Sequence, residues 1–145
     1  MRNRMTAGLL AGAAGTTALN AVTYTDMALR GRPASGIPEQ VVDRLGLPLR
    51  DANRRQAAAA LLGIGVGAGV GAVYGLAGGT PAGALMPAAT AALAGDGPPV
   101  ALGLTDPRTW TAADWLSDVV PHLAYGLVTA VAYDGLTRRR RRGVR

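Results

Sequence analysis

The amino-acid sequence predicts an all-α fold: a multi-pass transmembrane bundle of four helices, the third short, broken or re-entrant, with a short amphipathic helix in the first loop. Three observations predict it. The stretch AAAALLGIGVGAGVGAVYGLA, residues 57–77, holds 21 residues and no charge. As a helix it would span about 31 Å, close to the roughly 30 Å hydrocarbon core of a bilayer. Three more apolar segments flank it, near 6–29, 82–94 and 118–136. The arginines lie between and after these segments, where topology signals and head-group contacts belong.

Composition narrows the function classes. With 145 residues the chain is read as a single membrane domain. It has no Phe and no Cys, which excludes disulfides and thiolate metal sites. All fifteen basic residues are Arg against nine acids, for a net charge of +6. Among apolar spans that excess points to lipid head groups and not to nucleic acid.

Residues 1–5 are a short basic start, and the first helix is expected at about 6–29. A secretory leader would look similar. Here, however, the apolar run continues past a normal leader core and lacks a small-x-small cleavage site near Ala21. Thr16, Asn20, Thr23 and Met27 fall on one face. An intramembrane Asn requires an interhelical partner. Asp26 stands at i,i+4 from Arg30.

The polar loop at 30–55 carries six arginines and three acids. Within it IPEQVVDRL reads as a short helix, started by Ser35, with Pro38 and Glu39 in the first turn and Ile37, Val41 and Leu45 on one face. It either lies on the membrane surface or covers the end of the bundle. Arg50, Arg54 and Arg55 then flank the second helix, 57–77.

In that helix Gly63, Gly67, Gly71 and Gly75 recur every four residues and form one flat ridge, a glycine zipper. Small residues at this spacing let helix backbones approach closely where lipid supplies no hydrophobic drive. The ridge serves either self-association or packing against the chain's own helices. A tight turn at Gly78-Gly79-Thr80-Pro81 leads to the third segment, 82–94, which is short for a span and contains Pro87 as a candidate kink. Residues 95–117 read as an interfacial loop with Trp110 and Trp115 at head-group depth. Thr105, Thr111 and Ser117 offer helix caps there.

The fourth helix, 118–136, ends in the basic tail 137–145, with Arg138, Arg139, Arg140, Arg141 and Arg142 in sequence. The run marks a cytoplasmic end in the cell membrane and a contact for anionic lipid head groups. Four full spans would place the arginine-rich first loop outside. Three spans and a re-entrant third segment would place it inside, which satisfies the positive-inside rule better.

The polar constellation lies on the fourth helix. Asp118, His122, Tyr125, Thr129 and Tyr133 share a face, and with Asn20 they form a candidate polar path. The Asp118 carboxylate is within reach of the His122 ring, and an Asp–His pair at a helix start is also a common structural element. One His and no Cys predict no metal site. No catalytic or cofactor motif is present, so no cofactor and no enzymatic activity are expected.

GALM at 83–86, GLTDP at 103–107, the Trp of that loop and SDVVPHL followed by Gly126 carry a likeness. Over residues 80–138 the chain resembles the YagU-like family of small bacterial inner-membrane proteins. The resemblance implies four membrane helices and singles out His122. AGAAGTTALNAVTY with GRPASGIPEQ is similar to small actinobacterial membrane proteins. Neither likeness supplies a reaction. The expected function is an accessory membrane protein that self-associates or joins a larger complex through Gly63–Gly75. The alternative is a small proton-coupled transporter or channel using the polar stripe.

Overall fold

The structure, a computed structural model, describes residues 2–79 and 83–142, without the side chains of residue 2 and residues 139–142. It is all-α, with no strand among the described residues. Five helices follow in order: α1 (Arg2–Arg30), α2 (Ile37–Arg44), α3 (Ala52–Leu76), α4 (Leu85–Ala101) and α5 (Ala112–Arg142), with a 3₁₀ turn at Pro107–Thr109.

Local chemistry sets the helix ends. Ser35 Oγ accepts from the Ile37 N–H, and Pro38 and Glu39 occupy the first turn of α2. Asp51 caps α3 by accepting from the Asn53 and Arg54 N–H groups, so α3 starts five residues before the predicted 57. Thr111 and Asp114 form a reciprocal capping box: the Thr111 N–H donates to Asp114 Oδ2 (2.8 Å) and the Asp114 N–H to Thr111 Oγ1 (3.2 Å). This starts α5 at Ala112 and not at 118, and Ser117 lies inside the helix. At the other end of α3, the Gly78 N–H donates to Gly75 O and the Gly79 N–H to Tyr74 O. This is a Schellman stop, and Gly78 takes the positive φ, +82°, that it requires. The rest of the predicted turn, Thr80 and Pro81, lies outside the described residues.

The third segment is neither broken nor confined to 82–94. It is one helix of 17 residues, Leu85–Ala101, that continues through Gly95, Gly97, Pro98 and Pro99. Pro87 sits in the first turn, where its missing N–H costs no helical bond, so it caps the start and makes no kink.

Contacts define the bundle. Gly8 meets Gly71 and Gly75, and Gly12 meets Gly67 and Gly71, so α1 and α3 are antiparallel. Gly15 meets Tyr125 and Thr129, and Arg30 bonds Ser117, so α1 and α5 are antiparallel. Gly126 meets Ala84 and Ala88, and Gly95 meets His122, so α4 runs antiparallel to α5. α1 and α4 occupy opposite corners of a four-helix ring, and Tyr125 and Tyr133 reach across it from α5 to α3. The start of α1 and the end of α5 therefore share one end of the bundle. The α1–α3 loop and the start of α5 share the other. An arrangement with that loop and the C-terminal tail at one end, expected from a re-entrant third segment, is not what the helices form.

α2 packs on α3 and α4 at the loop end, and Arg44 donates to Leu102 O. Val42, 1 % exposed, is its anchor, while Leu45 stays exposed. The amphipathic helix is thus a cover on the bundle.

The interior is built from small and aromatic residues: Ala7, Ala11, Tyr74 and Tyr133 in one cluster, Val70, Ala91 and Tyr125 in another. The large aliphatic residues point outward on every long helix: Leu9 and Leu10 on α1, Leu61 and Ile64 on α3, Leu85 and Leu93 on α4, Leu123 and Leu127 on α5. By length and composition one described helix, α3, is long and apolar enough to cross a membrane. α4 has 17 residues, and α1 and α5 dilute their apolar length with Thr, Gly and charged ends.

Candidate functional site

The predicted glycine ridge divides. Gly67, Gly71 and Gly75 are buried against α1. A Cβ on Gly71 would lie 2.5 Å from the Gly12 Cα, and one on Gly75 would lie 2.8 Å from the Gly8 Cα. Three of the four ridge positions are therefore taken up within the chain. Gly63, with Gly65 and Gly69, meets nothing within 4 Å.

The predicted polar stripe on α5 divides as well. Its inner half is fully enclosed. Tyr125 donates to Gly67 O (2.6 Å) and Tyr133 to Gly75 O (3.1 Å), both buried. Thr129 has no exposure and stands over Gly15. The two tyrosines lock α5 across to α3, each bond worth about 1 kcal/mol. Asn20 is half-buried on α1, and no hydrogen bond joins it to Asp118 or His122.

The outer half differs. Asp118 and His122 are half-buried, with side chains 20 % and 15 % exposed. The His122 ring is held by the Asp118 carbonyl, 2.8 Å from Nδ1, while the carboxylate Oδ1 is 3.4 Å away. The backbone carbonyl and, at longer range, the expected carboxylate of Asp118 together orient the imidazole. Across from them stands Asp96 of α4. One ligand atom each from Asp96, Asp118 and His122 fall within 4.8 Å of one another.

Asp96 was assigned to the interfacial loop by its sequence context, Gly95-Asp96-Gly97-Pro98-Pro99, and so was missed. The available signal was the apolar run that resumes at Val100 after the prolines. It places a lone acid inside a helix and not beyond one.

The rest of the loop end is closed by ion pairs. Asp26 pairs with Arg30 (3.1 Å) and with Arg32, and Ser117 bridges Asp26 and Arg30 between α1 and α5. Arg55 faces Asp43 at 3.9 Å. Trp110 and Trp115 stack edge to face at 4.9 Å, and Trp110 Nε1 donates to Thr105 Oγ1 (2.8 Å), which gives Thr105 a role other than capping. At the opposite end Arg138 pairs with Asp134 (3.0 Å). The side chains of Arg139, Arg140, Arg141 and Arg142, the remaining predicted head-group contacts, lie outside the described residues.

The trio of Asp96, Asp118 and His122 is the one place where ionisable groups of different helices face each other without an arginine among the described residues. Such a group can share protons among three acceptors, and its side chains are only partly buried. No protein-family model, curated protein or solved structure matches the chain.

Proposed function

We propose that this chain is an integral membrane protein whose four long helices all cross the bilayer, and that it works as a small proton-coupled carrier with Asp96, Asp118 and His122 as its ion-accepting groups. The membrane part is supported by the inverted placement of side chains. Leu, Val and Ile cover the outside while Ala, Gly, Thr and Tyr fill the interior. Soluble bundles bury their large aliphatic residues; lipid tails are the solvent that rewards exposing them on all four helices.

The observation that carries the carrier reading is the Asp96–Asp118–His122 trio. Ionisable groups at membrane depth are costly and mark ion pathways by default. The termini, with Arg4 and the arginine run, are placed on the cytoplasmic side, and anionic lipid head groups fit that run. The α1–α3 loop then lies outside, with Arg30 and Arg32 paired to Asp26 and Arg55 to Asp43.

Two measurements test it. The chain lacks cysteine, so single substitutions Ser35→Cys and Thr137→Cys report each end of the bundle separately. An impermeant maleimide labels only Ser35→Cys in intact cells if the helices cross. Equal labelling of both removes the membrane topology. In proteoliposomes with an imposed pH gradient, the wild type moves protons and His122→Ala does not. Equal flux in empty and loaded vesicles removes the carrier.

One observation favours a second reading, an accessory packing protein. Gly65 and Gly69, one turn apart on the side of α3 away from α1, have nothing within 4 Å. A dimer in native lipid discs that Gly65→Leu with Gly69→Leu converts to monomer would support it.

A further inference from the structure

We infer that Asp96, Asp118 and His122 form a binding site for a divalent transition-metal ion of the zinc or manganese class. One carboxylate oxygen from each aspartate and the Nε2 of His122 are the ligands. The inference deepens the carrier reading, since it names the class of ion that the trio accepts.

Four observations lead to it. The three residues come from two helices, and one potential ligand atom of each, a carboxylate oxygen or a ring nitrogen, falls within 4.8 Å of the others. In a tetrahedral site with bonds near 2.0 Å the ligand atoms lie about 3.3 Å apart. Closing that difference is within the reach of an aspartate χ rotation. The second observation is the imidazole. Its Nδ1 sits 2.8 Å from the Asp118 carbonyl. A carbonyl only accepts, so Nδ1 carries a proton, and the ring, when neutral, presents the Nε2 lone pair. A backbone carbonyl on the far nitrogen is the usual support for a metal-ligating His.

The third observation is the space around Nε2. The residue facing it on α4 is Gly95, and even a Cβ there would stand 3.7 Å away. In the same turn Pro98 and Pro99 have no N–H to give to the carbonyls of Ala94 and Gly95, so these helix positions have lost their usual donors. The fourth is charge. The chain has 15 arginines for nine acids. Asp26 pairs with two of them and Asp43 and Asp134 with one each, and Asp51, Asp106 and Asp114 hold helix or turn starts. Asp96 and Asp118 do neither; the charged groups that act on Asp96 are Asp118 and His122. Two facing carboxylates in a half-buried site are relieved by a positive charge between them, a shared proton or a metal cation.

The donor set names the class. Two carboxylates and one imidazole suit zinc, manganese, iron or cobalt in the divalent state. Copper(I) prefers the sulfur ligands that this site lacks, and calcium takes six or more oxygens. Three protein ligands leave a position for water or a second anion, the arrangement of a site that exchanges its ion or works on it.

The experiment uses tag-free protein in lipid nanodiscs, dialysed against zinc and analysed for bound metal. Cobalt(II) absorption serves as the second readout. One zinc per chain is expected, together with a cobalt d–d band. Both are lost in Asp96→Asn and in His122→Ala and retained in Glu39→Gln, an acid outside the trio. Wild-type helicity and elution qualify each variant. If His122→Ala fails to fold, the near-isosteric Asp96→Asn and Asp118→Asn decide. No zinc retained by the wild type overturns the inference, as does an equivalent that survives Asp96→Asn and Asp118→Asn. Stoichiometric zinc with no ion flux keeps the site and removes the carrier. Proton flux by a protein that retains no zinc keeps the carrier and removes the site.

Discussion

The two halves of the polar face on α5 are made of similar residues and are solved differently. Toward the termini, Tyr125 and Tyr133 each find a carbonyl of α3, 58 residues away, and Thr129 is sealed under Gly15. Toward the loop, Asp118 and His122 meet another acid, Asp96. Each tyrosine hydroxyl is satisfied by one backbone carbonyl, so the first half becomes a fixed strut. Two carboxylates and an imidazole are not satisfied by one another, so the second half stays receptive to an ion. Position along one helix thus separates a structural role from a chemical one.

The largest effect expected is on the strut side. Gly71→Leu forces its side chain into the Gly12 backbone. Overpacking of this kind should cost about 3 kcal/mol or more and separate α1 from α3. Thermal unfolding followed by circular dichroism reads it, and a variant as stable as wild type would show that the α1–α3 contact is not tight. Next is Tyr125→Phe, which removes the bond to Gly67 O and should cost about 1 kcal/mol with ion flux retained. If flux falls while stability holds, the strut belongs to the site.

On the receptive side the order reverses. Asp96→Asn should change stability by less than about 0.5 kcal/mol, because it removes a like-charge neighbour of Asp118. It should abolish flux. Loss of folding instead would make Asp96 part of the strut. The smallest effect is expected at Gly65→Leu alone, which adds a side chain to open space and should stay within about 0.5 kcal/mol. A larger destabilisation would reveal a contact between copies of the chain.

Much of this was legible beforehand. The first helix, the amphipathic cover, the glycine helix and the last helix were all anticipated, and the Asp26–Arg30 pair followed from spacing alone. Helix starts were less accurate. α3 and α5 begin earlier than their apolar runs because Asp51 and Thr111 cap polar turns. α4 was truncated because Gly95, Gly97, Pro98 and Pro99 are breakers by propensity; in the protein the Schellman stop comes only at Gly103, with φ +67°. Asp96 was lost with those residues.

By itself the sequence determined that the chain is helical, which glycines lie on a common face, and that Asp118 and His122 stand one turn apart. These are properties of a single helix, and a period of 3.6 residues is enough to read them. Tertiary structure decided what each face meets: Gly67, Gly71 and Gly75 against α1, Gly63 against nothing, Tyr125 against α3, and His122 against an acid 26 residues earlier in the chain. Periodicity states which residues share a side of a helix. Only the packing of four helices around one another states what lies on the other side.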